Sequence, residues 1–105
     1  IEIVEEKKEI EKNIIENQQK LSYINFIGKT ENIIFNLLGK AQLSRIDVSV
    51  YTLRYDSEKC RLFLFFNQEP SNKRVEYFEL RNDKAELLNS KQALEGCYKE
   101  FNLLD

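Results

Sequence analysis

Hydrophobic residues in the first part of the chain recur at alternating steps of four and three, the spacing that lines one side of a helix. This seam runs from Ile3 to Ile24, and the opposite side is nearly all Glu, Lys, Asn and Gln. Gly28 is suited to end the helix because glycine takes the left-handed conformation without strain. Thr30 then caps a short second helix that ends at Gly39. The pattern predicts two helices before any strand.

From Arg45 the hydrophobic period changes to two, and β-branched residues dominate. This pattern predicts a first strand that runs to about Tyr55. A polar hairpin loop over 56–59 leads into a second strand over 60–67. A third strand over 74–81 follows a loop that holds the chain's only proline.

An unbroken apolar run fills the second strand. Successive strand side chains point to opposite faces, so Leu62, Leu64 and Phe66 face one way while Phe63 and Phe65 face the other. An apolar strand of this kind is typical of a sheet that is covered on both faces. We therefore expect helices or a partner on each side of the sheet, with Phe63 and Phe65 in the core.

The third strand has mixed faces, with Val75 and Tyr77 on one side and Phe78 and Leu80 on the other. After a turn, residues 84–88 fit either a short fourth strand, which we prefer, or the start of a helix.

Ser90 is a good N-cap for a final helix. The apolar face of that helix consists of Leu94, Cys97, Tyr98, Phe101 and Leu104. The order of elements predicts an α+β fold in which a three- to four-stranded antiparallel sheet packs with two N-terminal helices and one C-terminal helix.

Size and charge exclude several classes of protein. A chain of 105 residues fits one domain, 1–105. Its net charge is −2, and its charges form neither a strong basic field for nucleic acid nor a polybasic patch for a membrane. The sequence has no apolar run long enough to cross a bilayer. Its first residues lack the basic start and apolar middle of a secretory signal, so we expect a cytoplasmic protein.

Two cysteines are too few for a disulfide scaffold. Cys60 and Cys97 have no C-x-x-C spacing, and the chain contains no histidine that could complete a zinc site. We expect both thiols to be reduced and mostly structural, with a disulfide as the alternative if the protein is exported, and we expect no metal and no cofactor.

Two short segments resemble ligand-binding motifs, but each lacks residues that its motif requires. Gly28 to Thr30 resembles the end of a phosphate-binding loop, but Tyr23 stands where the first glycine belongs. The segment 61–65 echoes an RNA-binding strand, but leucines replace its small residues. Without histidine, no general base is evident for a serine or cysteine nucleophile. We expect neither nucleic-acid binding nor enzymatic activity.

Tyrosines and carboxylates at the fringe of the sheet are the remaining candidates for a binding surface, because tyrosine is enriched at interfaces and carboxylates steer a basic partner. The candidate protein-binding residues are Asp47, Tyr51, Tyr55, Asp56, Glu58, Glu76, Tyr77 and Glu79. The same tyrosines could instead only close the edges of the sheet.

The sequence favours a small bacterial immunity or antitoxin-type protein that covers the active site of a basic toxin, such as a nuclease. The association rests on the class of protein and not on a family motif. One alternative is a homodimerising structural or adaptor module, in which the first helix, with Asn17 in its seam, pairs with its copy. A secretion chaperone is another.

Overall fold

The computed structural model of the chain describes residues 2–48, 50–67 and 73–104. Its elements are α1 (Glu2–Leu21), α2 (Glu31–Leu38), β1 (Leu43–Ile46), β2 (Tyr51–Asp56), β3 (Cys60–Phe66), β4 (Val75–Asn82) and α3 (Lys91–Glu100). The four strands form one antiparallel sheet in the order β1-β2-β3-β4. The predicted α+β class, with two helices before the sheet and one after it, is confirmed.

The core lies on one side of the sheet only. Leu62, Leu64 and Phe66 of β3 are fully buried there, against the helices and the loop that follows α1. The helix and loop side chains of this core are Phe26, Ile34, Leu94, Cys97 and Tyr98. The chain's own described helices therefore cover only one face of the sheet, and cover of the other face by a partner stays a prediction. The expectation that Phe63 and Phe65 lie in the core is wrong, because both are outside the buried cluster.

The predicted first strand is two strands joined by a tight turn. The backbone N–H of Asp47 donates to the carbonyl of Val50 at 2.8 Å, and Ile46 pairs with Tyr51. Val48, at the turn, is fully exposed. Within the predicted strand, apolar residues occupy even positions up to Val50 and odd positions from Tyr51 onward. This change of phase indicates a turn, which the prediction of one continuous strand missed.

β3 follows the predicted second strand closely, whereas β4 contains a bulge. Phe65 pairs with Tyr77 and Phe66 with Val75, so Glu76 is the extra residue. The bulge returns Val75 to the core side, where it is 2% exposed beside Phe78 and Leu80. The prediction that Val75 and Tyr77 share a face is therefore wrong.

α1 ends at Leu21, seven residues before the predicted stop at Gly28. Beyond it, the Ser22 hydroxyl bonds the carbonyl of Ile24 and the hydroxyl of Tyr98. Phe26 then enters the core with no exposed surface. Gly28 does take a positive φ, 85°, but it lies in a turn and does not end the helix. The N–H of Gly28 donates to the carbonyl of Val75 at 2.9 Å.

The predicted seam of α1 is only partly buried. Ile10 is 58% exposed, whereas Gln18, on the predicted polar side, is 1% exposed. Gln18 and Gln19 reach the outer edge of β4 and hydrogen-bond the backbone of Leu80 and Phe78. The C-terminal half of α1 thus packs on the protein's own sheet, as the sequence favoured.

Helix caps fall where the sequence placed them. The Thr30 side chain accepts from the N–H of Ile33, and the Ser90 side chain accepts from the N–H of Ala93 at 3.1 Å. The preferred fourth strand over 84–88 does not form. That segment is a turn, with Ala85 at a φ of 66°, that ends in an isolated bridge between Leu87 and Arg81.

The two cysteines form a disulfide, so the expectation of reduced thiols is wrong. Cys60 opens β3 and Cys97 lies on the buried face of α3, with their Cα atoms 5.8 Å apart. Their distance along the chain concealed this proximity. Close to the disulfide, Glu100 joins α3 to the β2–β3 loop by accepting from the Lys59 N–H at 2.9 Å and from the Ser57 hydroxyl at 2.7 Å. These two hydrogen bonds lower the pKa of Glu100.

Candidate protein-binding site

The side of the sheet opposite the core carries the most distinctive surface of the described chain. Strand register and alternation place twelve side chains on it, which we call the open face: Leu43, Arg45, Asp47, Thr52, Arg54, Asp56, Arg61, Phe63, Phe65, Tyr77, Glu79 and Arg81. None of the described helices packs across it, and its side chains are half-buried or exposed.

Three aromatic rings form a row in the middle of the open face. Phe65 and Tyr77 stack across β3 and β4 with centroids 4.4 Å apart and an interplanar angle of 14°. Phe63 lies parallel to Phe65 at 6.4 Å. The three rings are therefore stacked face to face. Tyr77, at one end of the row, is 37% exposed. An apolar centre of this kind suits burial against another surface.

The same geometry is unsuited to stacking nucleobases. A base-stacking platform must present the flat face of a ring to the ligand. One face of Phe65 is already covered by Tyr77 at 4.4 Å. A base would have to separate these two rings before it could stack.

Arginines surround the aromatic row, and each one is paired with a carboxylate. The pairs are Arg45–Asp47 at 3.4 Å, Arg54–Asp56 at 3.0 Å, Arg61–Asp56 at 3.7 Å and Arg81–Glu79 at 3.2 Å. Arg81 also contacts Glu11 of α1 at 3.2 Å. Because the positive charges are matched locally, the open face presents mixed charge and no basic field for phosphates.

A groove extends the open face toward α1. It has a volume of about 700 Å³ between β4 and the part of α1 from Lys8 to Gln19. Ile15 and Tyr77 contribute apolar surface to it, and the charged side chains of Lys8, Lys12 and Glu16 stand along the helix side. An apolar floor with a charged rim has the composition of a protein interface.

The structure divides the sequence-predicted binding residues between several places. The open face contains Asp47, Asp56, Tyr77 and Glu79. The remaining four lie elsewhere: Tyr51 and Tyr55 on the core side, Glu58 in the β2–β3 loop and Glu76 at the bulge.

The two tyrosines of β2 have internal partners. Tyr55 is 3% exposed and donates to the carbonyl of Gly39 at 2.8 Å. Tyr51 donates to Glu31 at 2.6 Å, and burial together with this carboxylate raises the pKa of Tyr51 to about 12. Tyr55 is a core residue, so it cannot contact a partner unless the core opens.

Sequence reasoning missed the residues that dominate the open face, among them Phe63, Phe65, Arg54 and Arg81. The two phenylalanines were assigned to the core because their strand is apolar on both sides. Arg54 pairs across the sheet with Phe63, which in turn pairs with Glu79. These charged cross-strand neighbours indicate that Phe63 faces solvent, but they can be identified only when the strand pairing is known.

The described residues contain no group of three or more His, Cys, Asp or Glu side chains arranged to hold a metal ion. Among the described helices, none has the length and apolarity that a bilayer-spanning segment requires. Comparison with known proteins found no matching family model, no matching curated protein and no matching solved structure.

Proposed function

We propose that this chain is a non-enzymatic protein-binding domain that covers a partner with the open face of its sheet, in the manner of an immunity or antitoxin-type protein. The observation that carries the proposal is the uncovered row of Phe63, Phe65 and Tyr77 within a frame of paired charges. Aromatic residues and arginine are the residue types enriched in the binding centres of protein interfaces.

Charge on the open face refines the kind of partner. The sequence suggested an acidic surface for a basic target, but the carboxylates of the open face alternate with arginines. A surface of this kind best complements a protein patch of mixed charge around an apolar centre. We therefore propose a toxin surface of mixed charge, such as one that borders an active site, in place of a strongly basic cleft.

The disulfide bears on where the domain works. Disulfides persist in oxidising compartments and are rare in the reducing cytoplasm. Cys60 and Cys97 are 4% and 2% exposed, so their bond belongs to the core of the fold. We propose an oxidising compartment as the site of action, in place of the cytoplasm that the sequence suggested.

The test pairs this chain with the protein encoded beside it in its genome. Co-expression should protect cells if that neighbour is a toxin, and calorimetry should detect direct binding. Phe65→Ala or Tyr77→Ala should weaken binding by about 30-fold, the loss typical of a central interface residue. Tyr23→Ala is the matched control, because Tyr23 is 74% exposed on the loop between α1 and α2.

Circular dichroism and urea unfolding must first show that each variant is folded. If the neighbouring protein neither binds nor harms cells, the immunity role is wrong. If it binds equally well to the Tyr23 and Tyr77 variants, the open face is not the interface.

A further inference from the structure

The two edges of the sheet are treated differently by the fold. At β4, Gln19 bonds the N–H and carbonyl of Phe78, and Gln18 does the same for Leu80. Asn82 donates to the carbonyl of Glu86, at the end of the same edge. The outward backbone groups of β4 are thus satisfied within the chain.

β1, the opposite edge, has no such cover among the described residues. The bond from the Asp47 N–H to the Val50 carbonyl fixes the alternation of hydrogen-bonded pairs between β1 and β2. By that alternation, the N–H and carbonyl groups of Ser44 and Ile46 point away from β2. They form a short template for another strand.

Two of the four side chains of β1 are apolar and exposed. Ile46 is 70% exposed and Leu43 is 49% exposed. Phe35 of α2 is 58% exposed and lines a depression beside Ser44. Proteins commonly protect an edge strand with charged side chains, proline or a covering loop. β1, Leu43–Ile46, carries one charged side chain, Arg45, and no lysine or proline.

We propose that β1 pairs with β1 of a second copy of this chain, antiparallel, about a two-fold axis at Ile46. The two sheets would then join into one of eight strands. The interface is isologous, because each copy presents the same edge to the other. Leu43, Arg45 and Asp47 of the open face lie at this edge, but the inference uses the backbone groups of β1 and not the aromatic row, and it does not depend on the proposed function.

Charge selects the register of the pairing. Three registers, centred on Ser44, Arg45 or Ile46, pair outward groups of Ser44 or Ile46 in the two copies. One places Arg45 opposite Arg45 of the second copy, which is unfavourable, and one places Arg45 opposite Leu43. The third, centred on Ile46, places Arg45 opposite Asp47 of the second copy, twice by symmetry, so that the Arg45–Asp47 pair of each chain, at 3.4 Å, joins one cluster of four alternating charges. It also brings the two exposed Ile46 side chains together, on the side of the sheet where Phe35 lies.

Charge reversal tests this register in solution. Sedimentation velocity of the wild-type protein should show a monomer–dimer equilibrium. Arg45→Asp and Asp47→Arg should each weaken the dimer at least tenfold, because each places like charges opposite one another. The double variant, Arg45→Asp with Asp47→Arg, should restore the dimer. Circular dichroism must show that each single variant is folded.

A crosslink supplies a second readout. With Ile46 at the two-fold axis, the Cα atoms of the two copies would lie about 5.5 Å apart, within reach of a disulfide. Ile46→Cys should therefore form a covalent dimer under mild oxidation, and Leu43→Cys, which is off the axis, should not. Tyr77→Ala, on the open face, should leave the dimer unchanged.

The proposal is overturned if the wild-type protein stays monomeric at all concentrations up to about 1 mM, because the dissociation constant of the dimer would then exceed that concentration. It is equally overturned by a dimer that survives both single charge reversals, or by a dimer that Tyr77→Ala abolishes.

Discussion

The side-chain amide of Gln18 satisfies both backbone polar groups of Leu80. Its Nε2 donates to the Leu80 carbonyl at 2.8 Å, and its Oε1 accepts from the Leu80 N–H at 2.9 Å. A helix side chain thus takes the place of a fifth strand at this edge. Gln18 is 1% exposed, so water cannot replace these bonds if the amide is removed.

Gln18→Ala should lower the free energy of unfolding by about 3 kcal/mol, because the buried N–H of Leu80 loses its partner and the Leu88 carbonyl loses a bond of 2.6 Å, whereas the Leu80 carbonyl keeps the N–H of Leu88. Gln19→Ala is the matched control. It removes a similar pair of bonds to Phe78, but from a half-buried position that water can reach. Its cost should be about 1 kcal/mol. Helix propensity changes equally in both variants and cancels.

Urea unfolding of the two variants makes the measurement. Equal losses would mean that burial of the amide does not set its contribution. A loss below about 0.5 kcal/mol for Gln18→Ala, the range of an ordinary surface substitution, would contradict the edge-capping role.

Reduction of the disulfide should lower the free energy of unfolding by about 4 kcal/mol, the loop-entropy value for cysteines 37 residues apart. Urea unfolding with and without dithiothreitol measures the difference. The double variant Cys60→Ala, Cys97→Ala should not respond to dithiothreitol. Two titratable thiols in the unreduced, denatured protein would show that the bond does not form.

Neighbouring residues of β3 test whether the sheet is covered on one side. Leu64 is fully buried, so Leu64→Ala should cost about 3 kcal/mol through the cavity that it leaves. Phe63 lies on the open face, so Phe63→Ala should cost about 1 kcal/mol despite its larger side chain. Thermal and urea unfolding give both values. A greater loss for Phe63→Ala would indicate cover on both faces.

Alkaline pH should destabilise the fold through Tyr51. Its pKa is raised from 10.0 to about 12 by burial and by Glu31, so the folded state holds this proton more tightly than the unfolded chain does. The stabilisation is complete below pH 10.0 and is lost as the pH rises toward about 12. Tyr51→Phe should therefore flatten the decline in unfolding free energy over this window.

Tyr98 titrates in the same window, because burial raises its pKa to about 12 as well, although the hydrogen bond with Ser22 lowers it. The comparison of Tyr51→Phe with wild type isolates Tyr51 from this second contribution. Glu31→Gln should shift the absorbance titration of Tyr51 to lower pH. An unchanged titration would show that the carboxylate is not its partner.

Local signals were enough to place most elements. Thr30 and Ser90 cap helices as predicted, since a cap depends on only a few neighbouring residues. The early end of α1 depends instead on Phe26, which leaves the helix to enter a core assembled from distant segments. The turn at Asp47 and the bulge at Glu76 each shift a strand by one residue, and that shift decides which face a side chain occupies.

The candidate site was the least predictable part. Tyr55 and Tyr77 are similar in sequence context, yet one donates to Gly39 in the core and the other lies exposed on the open face. Which of them a partner can reach depends on where the helices settle. No property of the strands alone sets this.

The sequence by itself determined the α+β class, the order of helices and strands, and the apolar strand at the centre of the sheet, because periodicity and capping act over a few residues. Only the tertiary structure decided that the helices cover one face, that Cys60 meets Cys97, and that Phe63, Phe65 and Tyr77 form one row. These relationships join residues far apart in the chain, and their geometry exists only after the core has packed.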